Sequence, residues 1–510
     1  MPEYLAPGVF IEEIERGPKP IEGVATSTAA FLGECARGPV LPTLITSYSN
    51  YLRLFGSVFG PGNYMPYAVK SFFDNGGRRC YITRISGDNA VASSAVLGAF
   101  TFTARGPGLL GDRTWVQVED STTQDGNGPI GFRIRVFYWD KLPPGAVVFD
   151  PVANPDQLPR PSISEDFDDL TTDPSHPDYF DKRVNNGNSA LIEIAVPDFT
   201  PPPGGTTQQA LANGDDGNAI NITNYQGNAA NVNDRRGLAA LNLDKYRDVA
   251  IVYAPAVADD IAVAVIAHCE SNRFRFAVID SPANAANAAN LDPRSQATPL
   301  NSQFAAYYYP WVVTSDPATG QRTTIPPGGI ACGIYARTDN TRGVFKAPAN
   351  EKVIGALDLE FDIDHGTQEV LNPRGVNCIR RFPGRGIRIW GARTLASDPL
   401  WKYVSVRRLF IFLEASIYQA TQWVVFEPND QRLWNRVKQT VTLFLRTQWR
   451  EGALFGAKEE EAFIVNVGRE TMTEDDILNG RLIVELGIAP VRPAEFVIFR
   501  VYQKTQEAGS

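Results

Sequence analysis

Short apolar runs and amphipathic stretches follow one another in residues 23–87 and again in residues 237–281. Short apolar runs bounded by turn residues are typical of buried strands, and apolar positions three or four residues apart predict helices. A strand, a helix and a second strand in succession form a βαβ unit, whose strands are usually parallel. The pattern therefore predicts a mixed α/β fold. The predicted strands are Thr28–Leu32, Cys80–Ile85, Asp248–Ala254 and Phe274–Asp280, and the predicted helices are Tyr48–Phe55, Tyr67–Asn75 and Val257–Ser271.

Residues 88–236 differ in pattern from the sequence on either side. Trp115–Val118 and Phe132–Tyr138 alternate apolar and polar residues around a loop at Gln124–Gly131, which predicts a hairpin with a long turn. Pro143–Asp234 is dense in Pro, Asp, Asn and Gly, and so long an irregular segment is unusual inside a compact domain. We therefore expect residues 88–236 to form an inserted, β-rich domain on the outside of any assembly.

The two ends of the chain carry isolated apolar stretches. Residues 1–22 contain four prolines that prevent a long helix, and between them GVFIEEI at Gly8–Ile14 predicts a short strand. A frayed terminus is the ordinary alternative for such a segment. Near the other end, Leu482–Leu486 and Ala494–Tyr502 predict two strands. An isolated strand is unstable, so either end would have to pair with something else.

One long helix is predicted at Asp430–Trp449, with Asn429 as its cap. Its apolar residues recur every four positions and form one stripe. Exposed cations occupy the other side, among them Arg432, Arg436 and Lys438. A solvated helix face is the ordinary interpretation of such charges.

Composition limits the classes of function. With 510 residues the chain is long enough for two to four domains, and 37 prolines and 43 glycines predict many loops. A net charge of -9 argues against nucleic acid or an anionic membrane as a partner. No apolar run is long enough for a membrane span, and the first residues lack the pattern of a secretory signal. The five cysteines are far apart and without CxxC, which predicts reduced thiols in a cytosolic protein.

A block of basic residues interrupts this acidic chain at residues 374–408. Its nine cations face a single acid, Asp398, so the block needs an acidic partner. The cations are Arg374, Arg380, Arg381, Arg385, Arg388, Arg393, Lys402, Arg407 and Arg408.

Residues that perform chemistry are sparse. The βαβ unit runs into Ala254-Pro255 rather than a glycine-rich turn, so nucleotide binding is not expected. The acids in LDLEFDIDHG at residues 357–366 alternate along a predicted strand and could bind a divalent cation, although an acidic edge is the simpler interpretation. No catalytic nucleophile motif is present, and the three histidines are isolated. We expect no cofactor, no metal and no enzymatic activity.

An ordered series of motifs resembles the contractile tail sheath family of myophage tails and related contractile injection systems. The motifs are SYSNYLRLFG, RFAVID, YYYPWV, PPGGIACGIYARTD, RGVFKAPANE, LNPRGVNCIRRFPGRGIRIWGARTL, QWVVFEPN and PAEFVIFR. The resemblance is moderate over residues 1–87 and strong over residues 237–503. It implies a structural subunit that polymerises helically around an inner tube and contracts to drive the tube through a target envelope.

The resemblance also implies a domain plan. A two-part sheath core would carry an inserted β-rich outer domain and extended terminal arms. The expected parts are an N-terminal arm at 1–22, a discontinuous α/β domain at 23–87 and 237–350, the insertion at 88–236, a C-terminal core at 351–492, and a C-terminal strand and arm at 493–510.

Three sets of residues become candidates for assembly. In the family, terminal arms add strands to neighbouring subunits. Charged segments would join subunits, and the cationic helix face would grip an acidic tube. The arm candidates are Val9, Phe10, Ile11, Ile14, Phe496, Ile498 and Arg500; the charged candidates are Arg380, Arg381, Arg385, Arg388, Glu459, Glu460, Asp475 and Asp476; and the tube-facing candidates are Arg432, Arg436 and Lys438.

The implied partners are further copies of the chain, an inner tube protein, and baseplate and terminator or cap proteins, with neither nucleic acid nor direct membrane insertion. Assembly would take place in the cytoplasm of the producing cell, and the product would be a phage tail or tail-like particle. Two alternatives stay open: a non-contractile filament or shell protein, and an enzyme on an α/β scaffold. The type VI secretion sheath is made from two shorter chains, so this single chain looks more like a phage tail or phage-like particle.

Overall fold

The structure is a computed structural model that describes residues 21–57, 62–126, 128–196, 206–228, 230 and 235–501. The arm candidates Val9, Phe10, Ile11 and Ile14 lie outside the described residues. The described chain forms two compact units, residues 25–408 and residues 21–24 with 409–501. We call them the large and the small unit.

The helices are α1 (Tyr48–Phe55), α2 (Met65–Asp74), α3 (Ile222–Gln226), α4 (Gly237–Leu241), α5 (Asp259–Asn272), α6 (Gly328–Arg342), α7 (His365–Leu371), α8 (Val404–Ala420), α9 (Gln431–Arg450), α10 (Glu459–Ala462) and α11 (Glu474–Leu478).

The strands are β1 (Ala29–Gly33), β2 (Thr43–Ile45), β3 (Cys80–Arg84), β4 (Ser94–Leu97), β5 (Phe100–Ala104), β6 (Thr114–Asp120), β7 (Gln124–Asp125), β8 (Gly128–Pro129), β9 (Phe132–Tyr138), β10 (Ile163–Leu170), β11 (Ile192–Ala195), β12 (Thr207–Ala210), β13 (Ile251–Tyr253), β14 (Phe276–Asp280), β15 (Ala305–Tyr309), β16 (Val312–Ser315), β17 (Arg322–Ile325), β18 (Glu351–Lys352), β19 (Asp358–Leu359), β20 (Val376–Phe382), β21 (Gly386–Ile389), β22 (Phe463–Val467) and β23 (Val484–Ile488).

A nine-stranded sheet is the centre of the large unit, in the order β18-β21-β20-β15-β14-β13-β1-β3-β2. Its inner strands pair in parallel, and every residue of β1, β3 and β13 is buried. Buried parallel strands read as continuous apolar runs, which is why the sequence revealed them. The mixed α/β class is confirmed, and so is the parallel β13–α5–β14 unit. The sheet continues past residue 350, because β18, β20 and β21 join it.

Helices α2 and α6 pack tightly against each other over one side of this sheet. Gly329 and Gly333 of α6 make the approach possible. A Cβ at Gly329 would lie 2.6 Å from the Ala68 carbonyl oxygen, and one at Gly333 would lie 2.6 Å from that of Phe72. The GGIACG motif is therefore a packing motif, in which small residues let two backbones meet.

The insertion is a folded β domain rather than a long irregular segment. Strands β6 and β9 pair as the predicted hairpin, in the sheet β10-β9-β6-β12, while β11-β5-β4 forms a second sheet. The two sheets share one apolar core, which includes Phe100, Phe102 and Ile134. The expectation of an irregular Pro143–Asp234 was wrong, because β10, β11 and β12 come from that stretch. Their own apolar signal is weak, and pairing with β9, β5 and β6 decides their structure.

The small unit combines α9 with the two-stranded antiparallel sheet β22–β23. Leu433, Val437, Val441 and Leu445 of α9 are buried, so the predicted apolar stripe is confirmed. The helix packs against β22. Each strand of the pair keeps one edge unpaired within the described residues.

Candidate assembly surfaces

The C-terminal segment is an exposed apolar run. From Val491 to Val501 the backbone forms no strand, although residues 494–502 are predicted to form one, and Tyr502 lies outside the described residues. Phe496 is 70% exposed and Val501 is 92% exposed, with Ile498 and Arg500 also exposed. A strand needs a partner ladder, and this segment forms none with the described residues. The residues of this segment favour a strand, but no strand of the described chain pairs with them.

The basic face of α9 lies where the sequence placed it. Arg432, Arg436 and Lys438 are all exposed. The guanidinium of Arg436 stacks over the Trp423 ring at 3.8 Å, which fixes its direction.

The cap of α9 differs by one residue from the prediction. Asp430 is the N-cap, and its Oδ1 accepts hydrogen bonds from the backbone N–H groups of Arg432 and Leu433, each at 2.9 Å. The predicted cap, Asn429, instead accepts a hydrogen bond from Trp434 Nε1 at 2.7 Å. Both side chains suit a cap, and only the backbone geometry at residue 430 selects between them.

The arginine hairpin, formed by β20 and β21, carries the basic candidates of the large unit. Arg380 donates to the Ile363 carbonyl and to Gln368 Oε1, at 2.9 and 2.8 Å. Arg385 and Arg388 both donate to Asn350.

An arginine of the same hairpin explains the acidic motif at residues 357–366. Arg381 forms an ion pair with Asp358 and lies 3.5 Å from Asp362. Asp364 caps α7 by accepting from the Thr367 N–H at 2.7 Å. Hydrogen bonds from the Thr367 side chain and from this N–H hold the pKa of the Asp364 carboxyl below its ordinary value. Within the described residues, no group of three or more His, Cys, Asp or Glu side chains could hold a metal ion.

Part of the basic block faces inward. Arg408 is buried and paired with Asp339 at 2.6 Å, and Arg407 stacks over the Phe304 and Trp401 rings, each at 4.6 Å. Arg393 is also buried. For Arg408 the acidic partner lies within the chain, and burial keeps all three residues off the exposed basic surface. Burial cannot be read from a count of charges.

Most of the acidic candidates already have a cation beside them. Glu459 pairs with Arg446 at 2.7 Å, and hydrogen bonds from Arg446 lower the pKa of its carboxyl. Asp475 and Asp476 each lie 2.8 Å from the Arg481 guanidinium. Glu460 is exposed.

Sequence reasoning missed one buried carboxylate. Asp280 ends β14 and accepts hydrogen bonds from the Gly328 N–H at the start of α6, the Ala256 N–H and the Tyr253 hydroxyl, at 2.7, 3.0 and 2.7 Å. Burial raises its pKa to about 6. Its carboxylate accepts the first backbone N–H of α6, a position at which helices favour a negative charge. The acid at the end of the RFAVID strand was the available signal.

The described helices include none with the length and apolar character needed to cross a bilayer. All five cysteines are buried and unpaired.

Comparison with known proteins gives a consistent result. The model of the phage tail sheath protein central domain matches residues 202–395, and that of the phage tail sheath C-terminal domain matches residues 396–504. The tail sheath protein of Burkholderia phage BcepMu is 28% identical over 296 residues, which are 54% of this chain and 61% of that protein. The match thus spans about three fifths of the relative's length.

Two solved structures resemble the whole chain. The PVC sheath complex of an extracellular contractile injection system, in its contracted state, is 25% identical with a TM-score of 0.59, and the alignment covers 100% of this chain and 99% of that one. The anti-feeding prophage helical sheath in its contracted state is 26% identical with a TM-score of 0.57, over 98% and 99% of the two chains.

Proposed function

Because this chain belongs to the contractile tail sheath family, we propose that it is the structural subunit of a contractile sheath rather than an enzyme. Copies join helically around an inner tube and contract to drive it through a target envelope. The observation that carries the proposal is the exposed apolar segment 491–501 beside a two-stranded sheet with unpaired edges.

Strand addition explains both features. Exposed apolar side chains are unfavourable in water, and unpaired strand edges accept further strands. A segment donated by one copy to the β22–β23 edge of the next would complete its ladder and bury Phe496 and Ile498. The N-terminal arm at residues 1–22, with Val9, Phe10, Ile11 and Ile14, is the second candidate strand. Such links keep subunits joined while they move as rigid bodies between two lattices.

The charged candidates supply the contacts to the inner tube and between neighbouring copies. The exposed Arg432, Arg436 and Lys438 face an acidic tube surface. Exposed ion pairs contribute about 0–1 kcal/mol each, so many copies hold the tube while each contact stays easy to break. The remaining basic and acidic surfaces, including Arg380, Arg388 and Glu460, join copies of the sheath. Baseplate and cap proteins bind the two ends of the polymer, and assembly takes place in the cytoplasm of the producing cell.

Electron microscopy of the purified chain tests the first part of this function. Hollow tubes of uniform width are expected. A chain that stays as small particles both alone and with its tube protein present contradicts the proposal.

Reversal of the charges on α9 tests the second part. The triple variant Arg432→Glu, Arg436→Glu, Lys438→Glu is expected to form empty sheath tubes but no tube-bound sheath. The matched control Arg432→Lys, Arg436→Lys, Lys438→Arg keeps the charges and should retain tube binding. Normal tube-bound sheath in the reversed variant contradicts the assignment of this face.

A further inference from the structure

Phe426 combines two unfavourable features. Its side chain is 102% exposed, and its backbone has a φ of +68°, in the left-handed region that favours glycine. Exposure of an aromatic ring and a left-handed non-glycine residue each raise the free energy of the folded chain. Nothing within the described residues compensates for either feature. A contact with a second copy of the chain would compensate for both features.

The turn that carries Phe426 is held in place. We call residues 424–428 the Phe426 turn. The Glu427 N–H donates to the Val424 carbonyl at 3.2 Å, which closes the turn. Asn429, directly after it, accepts from Trp434 Nε1 at 2.7 Å and donates to the Arg481 carbonyl at 3.1 Å. The backbone of the turn is thus held in place, so little backbone ordering is left for binding to require.

The chemistry of the turn is apolar with one negative charge. Val425 is 59% exposed beside Phe426, and Glu427 is exposed and forms no ion pair within the described residues. A matching surface needs an aromatic or apolar contact and an adjacent cation. Aromatic anchors that fill a pocket on the partner carry much of the binding energy of many interfaces.

The arginine hairpin has these properties. Phe382 and Trp390 pack with ring centroids 4.5 Å apart, and the Arg385 guanidinium lies over both rings at 5.5 and 5.6 Å. Arg385 is exposed, and its one hydrogen bond to Asn350, at 2.6 Å, leaves further N–H groups for a carboxylate. The acids first expected to meet this hairpin, Glu459, Asp475 and Asp476, are already paired.

We propose that the Phe426 turn of one copy docks on the arginine hairpin of a second copy, with Phe426 against the Phe382–Trp390 pair and Glu427 beside Arg385. The proposal rests on the proposed sheath polymer and assigns one of its contacts. Because the turn and the hairpin are different surfaces, the contact is heterologous, and such contacts repeat into open helical polymers.

Substitution of Phe426 by glycine separates this role from a structural one. Glycine adopts a positive φ without strain, so Phe426→Gly should leave the melting temperature of the unassembled chain unchanged or raise it. It should reduce the polymer pelleted by ultracentrifugation at least tenfold. Val147→Gly, which removes an 80% exposed side chain from the insertion, is the control and should pellet normally.

A charge exchange tests the proposed contact between Glu427 and Arg385. Glu427→Arg and Arg385→Glu should each reduce the pelleted polymer, and the double variant should restore it. Normal polymer in Phe426→Gly overturns the proposal, and so does a double variant that pellets no better than the single ones. If the unaltered chain forms no polymer, even with its tube protein, the proposed function fails first, which distinguishes the two failures.

Discussion

At the residue scale, buried ionic groups of the large unit stabilise the sheath subunit without touching a partner. Arg408 and Asp339 are both buried and form hydrogen bonds at 2.6 and 2.9 Å. Thr26 joins them, since its hydroxyl donates to Asp339 and its carbonyl accepts from Arg408. Removing one member of such a pair leaves a buried charge without a partner.

Asp339→Asn should therefore lower the free energy of unfolding by about 3–5 kcal/mol, measured by urea denaturation. Asp475→Asn, which breaks an exposed pair with Arg481, is the control and should cost about 1 kcal/mol or less. Equal losses of unfolding free energy in the two variants would show that breaking the buried Arg408–Asp339 pair costs no more than breaking an exposed pair.

Asp280 makes stability depend on pH. Its folded pKa of about 6 lies above the ordinary value for Asp of about 3.9, so the folded state binds the proton more tightly. The stability it contributes is fully present below about pH 4 and is lost as pH rises through about 6. Relative to Asp280→Asn, the unaltered chain should thus lose unfolding free energy between pH 4.5 and 7. The same change of unfolding free energy with pH in the two proteins, measured by urea denaturation, would contradict the raised pKa of Asp280.

At the element scale, local sequence was sufficient for helices α1 and α9 and insufficient for the edge strands. Helix α1 begins and ends where its pattern predicts, because Ser47 caps it and Gly56 follows it. Helix α9 has the predicted stripe, with its cap at Asp430 rather than Asn429. A strand such as β10 forms only because it pairs with β9, and the local sequence of β10 does not predict that pairing.

The cap of α9 can be tested directly. Asp430→Ala removes the acceptor of two backbone N–H groups and should cost about 1 kcal/mol in unfolding free energy. Asp430→Ser keeps a capping oxygen and serves as the control, which should lose far less. A larger effect for Ser than for Ala would mean that residue 430 acts otherwise than as a cap.

At the scale of the whole molecule, the described chain leaves its assembly elements exposed. The segment 491–501, the edges of β22–β23 and the Phe426 turn all place apolar or unpaired backbone groups in water. A monomeric protein rarely keeps such surfaces, whereas a subunit of a polymer buries them on assembly. These features are therefore the surfaces that we propose to be buried in the assembled sheath.

Deletion of residues 493–510 should prevent polymerisation and leave the monomer folded, because residues 493–501 form no strand ladder with the described part of the chain. The expected result is loss of tubes in electron microscopy with an unchanged melting curve of the monomer. A shortened chain that still forms uniform tubes would show that the C-terminal segment donates no required strand.

The sequence by itself determined the α/β class, the positions of the parallel strands β1, β3, β13 and β14 and of helices α1 and α9, and the resemblance to the sheath family. These are local properties, since a buried strand and an amphipathic helix each carry their pattern in a few neighbouring residues. Only the tertiary structure decided that Arg407 and Arg408 face inward, that β10 to β12 complete the insertion, that Asp280 lies buried, and that Phe426 stands in solvent. Each of these depends on which distant residues meet, and a count of charges or apolar positions along the chain does not contain that information.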